Sequence, residues 1–334
     1  MIKIDFSSSN SQPKYQLIID TISTLLQNGN LQKGDKLPSC NELCRTYNLS
    51  QDTVYMAYNE LKKLGLIYSK VGKGYFVQNT NVGVEHKVFV LFDHLSAYKE
   101  ELYEAFKLGM KGKGSEQIFF HHNNPNVFKT LIESAIGEYT DFVIMPIFDK
   151  EAFGILEKLP RKNVYILDRA NAELKNQYSY ICQEFERDIY QILNKYSVHF
   201  QKYTRMVLSI RHSRGHFREI ISGFRAFCKK YAFVNEVVFD ITDFKQKKGD
   251  VFIVVDDKDL VKIVTKSQAL NLEIGADIGI ISYNEIALKQ IVAGGISTIS
   301  TDFALMGKNM AEMVLSGKKQ KTHNPFLMYK RNSF

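Results

Sequence analysis

Cysteine is scarce in this sequence, with four residues in 334: Cys40, Cys44, Cys182 and Cys228. None forms a C-x-x-C pair, and their density is far below that of a disulfide scaffold. The sequence therefore predicts reduced thiols and a cytoplasmic protein. Cys40 and Cys44 lie one helical turn apart, but no histidine accompanies them, so buried apolar side chains are favoured over a metal or redox pair.

Long apolar runs are also absent. The first sixteen residues, MIKIDFSSSNSQPKYQ, contain no apolar stretch of the kind found in signal peptides. No run reaches the roughly 18 apolar residues that a membrane-spanning helix needs. We expect a chain that is neither exported nor inserted in a membrane, which argues against a transport binding protein.

Signatures of catalysis are missing as well. The sequence has no Gly-rich phosphate loop, no nucleophile elbow, no metal-ligand spacing and no strand-end lysine suited to pyridoxal phosphate. We therefore expect no enzyme activity, no cofactor and no metal.

The charge balance is basic, with a formal net charge of +8. Residues 1–80 contribute nine Lys and Arg against six Asp and Glu. This excess permits nucleic-acid binding without demanding it.

Residues 13–65 show three successive helix signals. Pro13 opens an apolar-faced helix that closes at Gly29. Ser39, with Glu42 three residues later, predicts a capping box and a second helix that ends near Tyr47. Ser50 is the predicted N-cap of a third helix, which stops at Gly65. Its apolar stripe is Val54, Ala57, Tyr58, Leu61 and Leu64.

A basic hairpin follows the third helix. Two short strands, 67–70 and 75–78, flank the glycine-bearing tip 71–74. Helix-turn-helix units insert the N-terminus of the second helix of the pair into the major groove, where polar side chains meet base edges. Here that helix is the third of the chain, and the lysines of the tip are placed to neutralise phosphates.

The same residues resemble the winged-helix domain of GntR-type bacterial regulators over residues 12–78. The matching elements are Leu31-Gln-Lys-Gly-Asp-Lys-Leu-Pro-Ser39, Glu42-Leu43, Ser50-x-x-Thr53-Val54, Leu61 to Gly65-Leu66, Gly72-x-Gly74 and Phe76-Val77. The resemblance implies DNA contacts at Ser39, Asn41, Gln51, Asp52, Thr53, Tyr55, Lys70, Gly72 and Lys73. Family members usually carry arginine where this chain has Asn41, Gln51 and Tyr55, so the guanidinium fork is lost there. The alternative is a winged helix used only for protein contacts.

From residue 87 the pattern changes to short apolar strands alternating with helices, which predicts parallel sheets with crossover helices. The predicted strands are 88–93, 117–122, 141–148 and 163–168, and, after a restart, 205–210, 234–240, 250–255 and 277–282. The predicted helices are 99–110, 128–138, 217–231 and 260–270. Two α/β lobes result, and such a pair closes around a ligand at the carboxyl ends of the strands.

This region resembles the sensor domain of the lactose and galactose repressors, itself similar to periplasmic sugar-binding proteins. The most specific matches are Asp277-Ile-Gly-Ile-Ile-Ser-Tyr-Asn-Glu285, Ile296-Ser-Thr-Ile-Ser300, Met306-Gly307 with Ala311, and residues 325–333 with Leu327 and Arg331. A GntR-type headpiece joined to such a sensor is similar to the bacterial arabinose repressors. The resemblance implies a sugar or sugar phosphate as the effector.

Candidate effector-binding positions follow from strand ends and from this resemblance. Carboxyl and amide groups at strand ends suit sugar hydroxyls, and aromatic faces suit sugar rings. The positions are Asp93, Asp168, Asp256 and Asn284, with the aromatic residues Tyr98, Phe148 and Tyr283. The family places an arginine where this chain has Ile220, and Arg214 or Arg218, which cluster with Arg211, are expected to substitute for it. The alternative for each position is a loop cap, a core aromatic or a solvated charge.

Together these expectations describe a multidomain regulator: a winged helix-turn-helix over 1–78, a linker over 79–86, and a two-lobed effector-binding and dimerisation domain over 87–334. Its expected partners are a double-stranded DNA operator, a small-molecule effector and a second copy of the chain, because one winged helix covers only half of a palindromic site. Two alternatives stay open: an enzyme fused to a DNA-binding headpiece, and a cytoplasmic ligand-binding protein without a direct regulatory role.

Overall fold

The computed structural model describes Ile4 and residues 13–80, 86–147, 154–211 and 217–334. Phe148 and Arg214 lie outside these residues. The chain divides into two compact units, Met1–Glu85 and His86–Phe334. Among the described helices, none combines the length and apolar character needed to cross a membrane.

In its described residues, the first unit contains three helices and a two-stranded hairpin. The helices are α1 (Lys14–Gln27), α2 (Cys40–Tyr47) and α3 (Gln51–Lys63), and the strands are β1 (Ile67–Lys70) and β2 (Gly74–Val77). The predicted capping box at α2 is confirmed, because the Ser39 hydroxyl accepts from the Glu42 N–H while the Glu42 carboxylate accepts from the Ser39 N–H. Ser50 caps α3 as predicted.

The apolar faces of α1, α2 and α3 meet in one core. Val54, Ala57, Tyr58 and Leu61 of α3 are fully buried. The prediction that Leu64 shares this stripe is wrong: its side chain is 54% exposed, since Leu64 is the C-cap where the helix has already ended. Gly65 then takes the left-handed conformation, with φ at 66°.

Where the structure describes it, the second unit has two lobes, and each contains a six-stranded sheet. In the first sheet all neighbours are parallel, in the order β13-β7-β6-β5-β3-β4. Its strands are β3 (His86–Phe92), β4 (Gly114–Phe120), β5 (Asp141–Ile144), β6 (Val164–Asp168), β7 (Ser179–Cys182) and β13 (Lys321–His323). This lobe includes the helices α4 (Ala97–Met110), α5 (Pro125–Ala135), α6 (Ala172–Gln177) and α11 (Phe303–Ser316).

The second sheet has the order β14-β12-β11-β10-β8-β9, with β14 antiparallel to β12. Its strands are β8 (Arg205–Ser209), β9 (Val234–Val238), β10 (Asp250–Val254), β11 (Gly279–Tyr283), β12 (Ser297–Thr301) and β14 (Phe326–Tyr329). The helices are α7 (Phe185–Lys195), α8 (Ser197–Phe200), α9 (Phe217–Lys230) and α10 (Asp257–Ala269). The eight predicted strands are present, with ends shifted by up to four residues.

The chain passes between the lobes three times, after β7, after β12 and after β13. Asn324 joins the three crossings: its N–H donates to the Cys182 carbonyl at 2.9 Å, and its side-chain amide donates to Thr301 Oγ1 and to the Asp302 carbonyl at 2.8 and 2.7 Å. Because parallel strands end at one edge of each sheet, these crossings bring two sets of strand ends face to face.

Candidate functional site

The exposed face of α3 is the first candidate surface. Gln51, Asp52 and Tyr55 are exposed there, as the sequence predicts. Thr53 is half-buried: its N–H donates to Ser50 Oγ at 3.2 Å, and the two hydroxyls lie 2.7 Å apart. Sequence reasoning missed Met56, which is 50% exposed beside Tyr55.

The N-termini of α2 and α3 are joined by their side chains. Gln51 Nε2 donates a hydrogen bond to Asn41 Oδ1 at 3.1 Å, and both side chains are exposed. Ser39 Oγ is already occupied by the capping box. The structure thus brings Asn41 and Gln51 together as one exposed amide pair.

The hairpin presents its lysines to solvent. Lys70 and Lys73 are exposed, and Gly72 and Gly74 have φ values of 72° and 105°, a region that favours glycine. The rings of Tyr68 and Phe76 stack across the two strands of the hairpin, with their centroids 5.7 Å apart.

The second candidate site is a cleft of about 700 Å³ between the lobes of the second unit. Six of the predicted effector positions line it: Asp93, Tyr98, Asp168, Asp256, Tyr283 and Asn284. Arg218 is exposed on α9 and is not among the described lining residues, whereas Arg211 is. The structure therefore gathers strand-end groups from both sheets around one space.

On the first-lobe side, Asp93 is the centre of a charged cluster. Lys99 is buried and forms an ion pair with Asp93, and His94 Nδ1 lies 3.0 Å from the other carboxylate oxygen. Burial by itself would raise the pKa of Asp93, but the hydrogen bond from His94 and the charge of Lys99 together lower it. Asp93 is therefore a fixed negative charge whose orientation is set by its neighbours.

Asp168, at the end of β6, has a different environment. Gln183 Nε2 donates to its carboxyl group at 2.5 Å, and burial raises the pKa of Asp168. Its φ is 71°, and the cleft residues Asn123 and Asn284 also have positive φ, at 56° and 62°. Such backbone conformations are tolerated by Asp and Asn and concentrate at functional sites.

On the second-lobe side, Arg211 lies over a buried acid. Arg211 Nη2 donates to Asp259 at 2.6 Å, and the fully buried Asp259 also accepts from Ser209 Oγ at 3.0 Å. Asp256 caps α10 by accepting from the Lys258 N–H, and Arg211 Nε lies 3.9 Å from its carboxylate. The arrangement fixes Arg211 and Asp256 side by side.

Lys289 is a buried lysine that contacts residues on this side of the cleft. Its side chain is 2% exposed and donates to the Tyr283 and Asn284 carbonyls at 2.8 and 2.9 Å, and it pairs with Asp257 at 2.7 Å. Burial lowers the pKa of Lys289. Lys289 thereby holds the strand end that carries Tyr283 and Asn284.

Aromatic side chains complete the lining. The Tyr98 ring packs on Phe303 with centroids 4.8 Å apart. Tyr283 is buried, and its hydroxyl has no hydrogen-bond partner among the described residues.

Arg169 of the first lobe forms an ion pair with Glu219 on α9 of the second, so a direct electrostatic contact links the lobes.

Sequence reasoning missed several residues of this cleft. Lys99, Arg169 and Gln183 line it beside the predicted acids, and Lys289 lies beneath it. Gln183 follows β7, a strand that was not predicted, and its place directly after an apolar run is the signal that identifies it. The partners of Lys99 and Lys289 depend on three-dimensional packing.

His121 contacts two residues that line the cleft, Met145 and Asn123, and gives a first testable expectation. It is fully buried: Nε2 donates to the Met145 carbonyl at 3.0 Å, and Nδ1 accepts from the Asn123 N–H at 3.1 Å. Burial lowers its pKa. The unfolded chain therefore binds the proton more readily, and the free energy of unfolding is expected to fall as pH drops below about 6.5.

His121→Gln, which stays neutral, is expected to flatten this pH dependence between about pH 5 and 7. The measurement is urea denaturation of wild type and variant at several pH values in that window. His199→Gln, at an exposed position, is the matched control. An unchanged slope in the His121 variant would contradict the assignment of a neutral buried imidazole.

Comparison with known proteins finds a match within each unit. Residues 14–77 match the family model of bacterial regulatory proteins, gntR family, and residues 199–331 match the periplasmic binding protein-like domain. The N-terminal match extends to the uncharacterized HTH-type transcriptional regulator YcxD of Bacillus subtilis, 39% identical over 64 residues, or 19% of this chain and 14% of that protein. The HTH-type transcriptional repressor YtrA of Bacillus subtilis is 39% identical over 77 residues, or 23% of this chain and 58% of the repressor. The chain thus spans less than two thirds of either relative.

Solved structures with a similar fold cover most of the second unit. The dimeric lac repressor with an 11-residue C-terminal deletion superposes with a TM-score of 0.62 at 15% identity, covering 74% of this chain and 98% of that one. The trehalose repressor from Escherichia coli gives a TM-score of 0.62 at 12% identity, covering 73% and 100%. Residues 14–77 thus form a helix-turn-helix domain that matches the gntR family model, and the second unit has the two-lobed fold of these repressors.

Proposed function

We propose, on the premise that residues 14–77 are a gntR-family helix-turn-helix domain, that this chain is a cytoplasmic transcription repressor whose operator affinity is set by a sugar or sugar phosphate bound between the lobes of the second unit. The observation that carries the proposal is the cleft itself. Carboxyl, amide and aromatic groups from both sheets meet around about 700 Å³, a volume suited to a small polar ligand.

In this proposal, ligand binding in the cleft is coupled to DNA binding by the first unit. A ligand that contacts both lobes binds one lobe arrangement better than another, and only such a difference in affinity shifts the equilibrium. We propose that the chain acts as a homodimer on a two-fold symmetric operator, because one winged helix covers a half-site. Lobe closure then changes how the two headpieces are presented to the half-sites.

Thermal denaturation against free and phosphorylated monosaccharides tests the effector. A ligand at about 100 times its Kd is expected to stabilise the native protein by about 2.7 kcal/mol, which calorimetry resolves. The same compound is then added to a complex with a DNA fragment selected by the protein, and is expected to weaken binding by about 5- to 150-fold.

The two halves of the proposal fail separately. No stabilisation by any sugar, in a protein that melts cooperatively, would exclude a sugar effector. The absence of salt-sensitive, sequence-selective binding to any DNA would exclude the repressor role. A stabilising sugar that leaves DNA affinity unchanged would retain ligand binding but refute the coupling.

A further inference from the structure

The first two turns of α3 expose a face without cationic side chains. Residues 51–60 contain no Lys or Arg. The nearest lysines of the helix are in its last turn, where Lys62 donates to Ser69 Oγ at 3.3 Å and Lys63 pairs with Glu60 at 2.6 Å. Guanine is most often read in the major groove by Arg or Lys at its O6 and N7 acceptors, and this part of the helix offers neither.

The amide pair provides a different recognition chemistry. Because Gln51 Nε2 donates to Asn41 Oδ1, the Nδ2 group of Asn41 and the Oε1 atom of Gln51 are left for another partner. One donor beside one acceptor complements adenine, whose major-groove edge presents the N7 acceptor and the N6 amino donor. The hydrogen bond also orients both amides in the free protein, which reduces the side-chain entropy lost on DNA binding.

Within residues 51–58, the exposed side chains other than Gln51 are apolar or acidic. Tyr55 is 45% exposed and Met56 is 50% exposed, although each has an apolar body. In the major groove such side chains contact the C5-methyl group of thymine. The exposed carboxylate of Asp52 repels the two acceptors of guanine and accepts from the amino groups of adenine or cytosine.

We propose that the operator half-site places A·T pairs against the first two turns of α3, with adenine read by the Asn41–Gln51 amide pair and thymine methyl groups contacted by Tyr55 and Met56. This inference rests on the proposed function, because it assumes that α3 enters the major groove. Affinity then comes from the lysines of the hairpin, and specificity comes from the amide pair and the apolar side chains, with Asp52 disfavouring guanine.

The first experiment selects binding sites for the full chain from a randomised duplex pool at fixed salt. The enriched half-sites are expected to contain A·T pairs at the positions of strongest selection. In the selected site, each thymine is then replaced by uracil, which removes only the methyl group. Binding is expected to weaken about fourfold for each contacted methyl, the factor that a buried methyl group contributes.

Variants assign the contacts to side chains. Replacing the contacted adenine by 7-deazaadenine removes the N7 acceptor and is expected to weaken wild-type binding about tenfold, but to have little further effect on Asn41→Ala or Gln51→Ala. Tyr55→Ser with Met56→Ser is expected to bind thymine and uracil sites equally. Lys73→Ala is the matched control: it weakens binding to every site and leaves the thymine to uracil ratio unchanged.

The outcomes separate this inference from the proposed function. Selected sites centred on guanine, or equal affinity for thymine and uracil duplexes, would overturn the inference while leaving a DNA-binding repressor intact. Enrichment of no sequence would overturn both and would favour a protein-contact role for the exposed apolar face. Melting curves of the variants, which change only exposed side chains, verify that the fold is retained.

Discussion

Replacing Gly307 with valine is expected to lower the free energy of unfolding of the second unit by about 3 kcal/mol or more. Gly307 lies on α11 where this helix crosses α4. A Cβ atom at Gly307 would lie 2.1 Å from the Leu102 carbonyl oxygen and 2.9 Å from the Phe106 nitrogen. Both are backbone atoms of a helix, so they cannot move aside unless the two helices separate.

Calorimetry of the full chain, for wild type and variant, measures this effect. Gly154→Val is the matched control, because a Cβ atom there meets no atom within 4 Å and the position has no positive φ. Its effect is expected to stay within about 0.5 kcal/mol. Equal stability of the Gly307 and Gly154 variants would show that the helices tolerate separation at this crossing.

Local signals in the sequence were sufficient to predict local structure. A hydroxyl at Ser39 with a carboxylate at Glu42 predicts a helix start, because both groups act within one turn of backbone. Short apolar runs predict buried parallel strands for the same reason: the pattern and the burial concern the same few residues. The prediction that Leu64 is buried was wrong because the apolar periodicity of the sequence continues past the residue at which the helix ends.

The path of the chain between the lobes was not predictable in this way. Residues 303–316 and 321–323 return to the first lobe, although in sequence they follow strands of the second. That return is fixed by packing between segments that are far apart in sequence. Examples are the contact of Gly307 with α4 and the hydrogen bonds of Asn324 at the three crossings. No short window of sequence contains both partners of these contacts.

In the cleft, too, the positions of residues were predictable from local sequence, whereas their interactions were not. Strand-end positions such as Asp93 and Asp168 were predictable because parallel strands end at one edge of a sheet. Their contrasting electrostatics were not, because the pKa of each carboxyl depends on Lys99 and His94 in one case and on burial beside Gln183 in the other.

Asp168→Asn is expected to abolish most of the response to the effector while leaving the protein at least as stable as wild type. The carboxyl group of Asp168 lines the cleft and is held by Gln183 at 2.5 Å, so it is oriented to accept from a ligand hydroxyl. Losing a hydrogen bond to such a group weakens binding about tenfold or more. Asparagine tolerates the φ of 71° at this position, so the backbone is not strained.

The stability follows from the direction of the pKa shift. Burial raises the pKa of Asp168 above its unfolded value, so ionisation above the unfolded pKa costs the folded state free energy. A neutral amide removes that cost, and the melting temperature without ligand should be unchanged or higher.

The readout is the ligand-induced shift in melting temperature together with ligand release of DNA. Asp240→Asn, at an exposed site after β9 that is not among the described lining residues, is the control. A full ligand response in Asp168→Asn would mean that the effector does not contact this carboxyl group, whereas lost response with lowered stability would mean that the residue is structural.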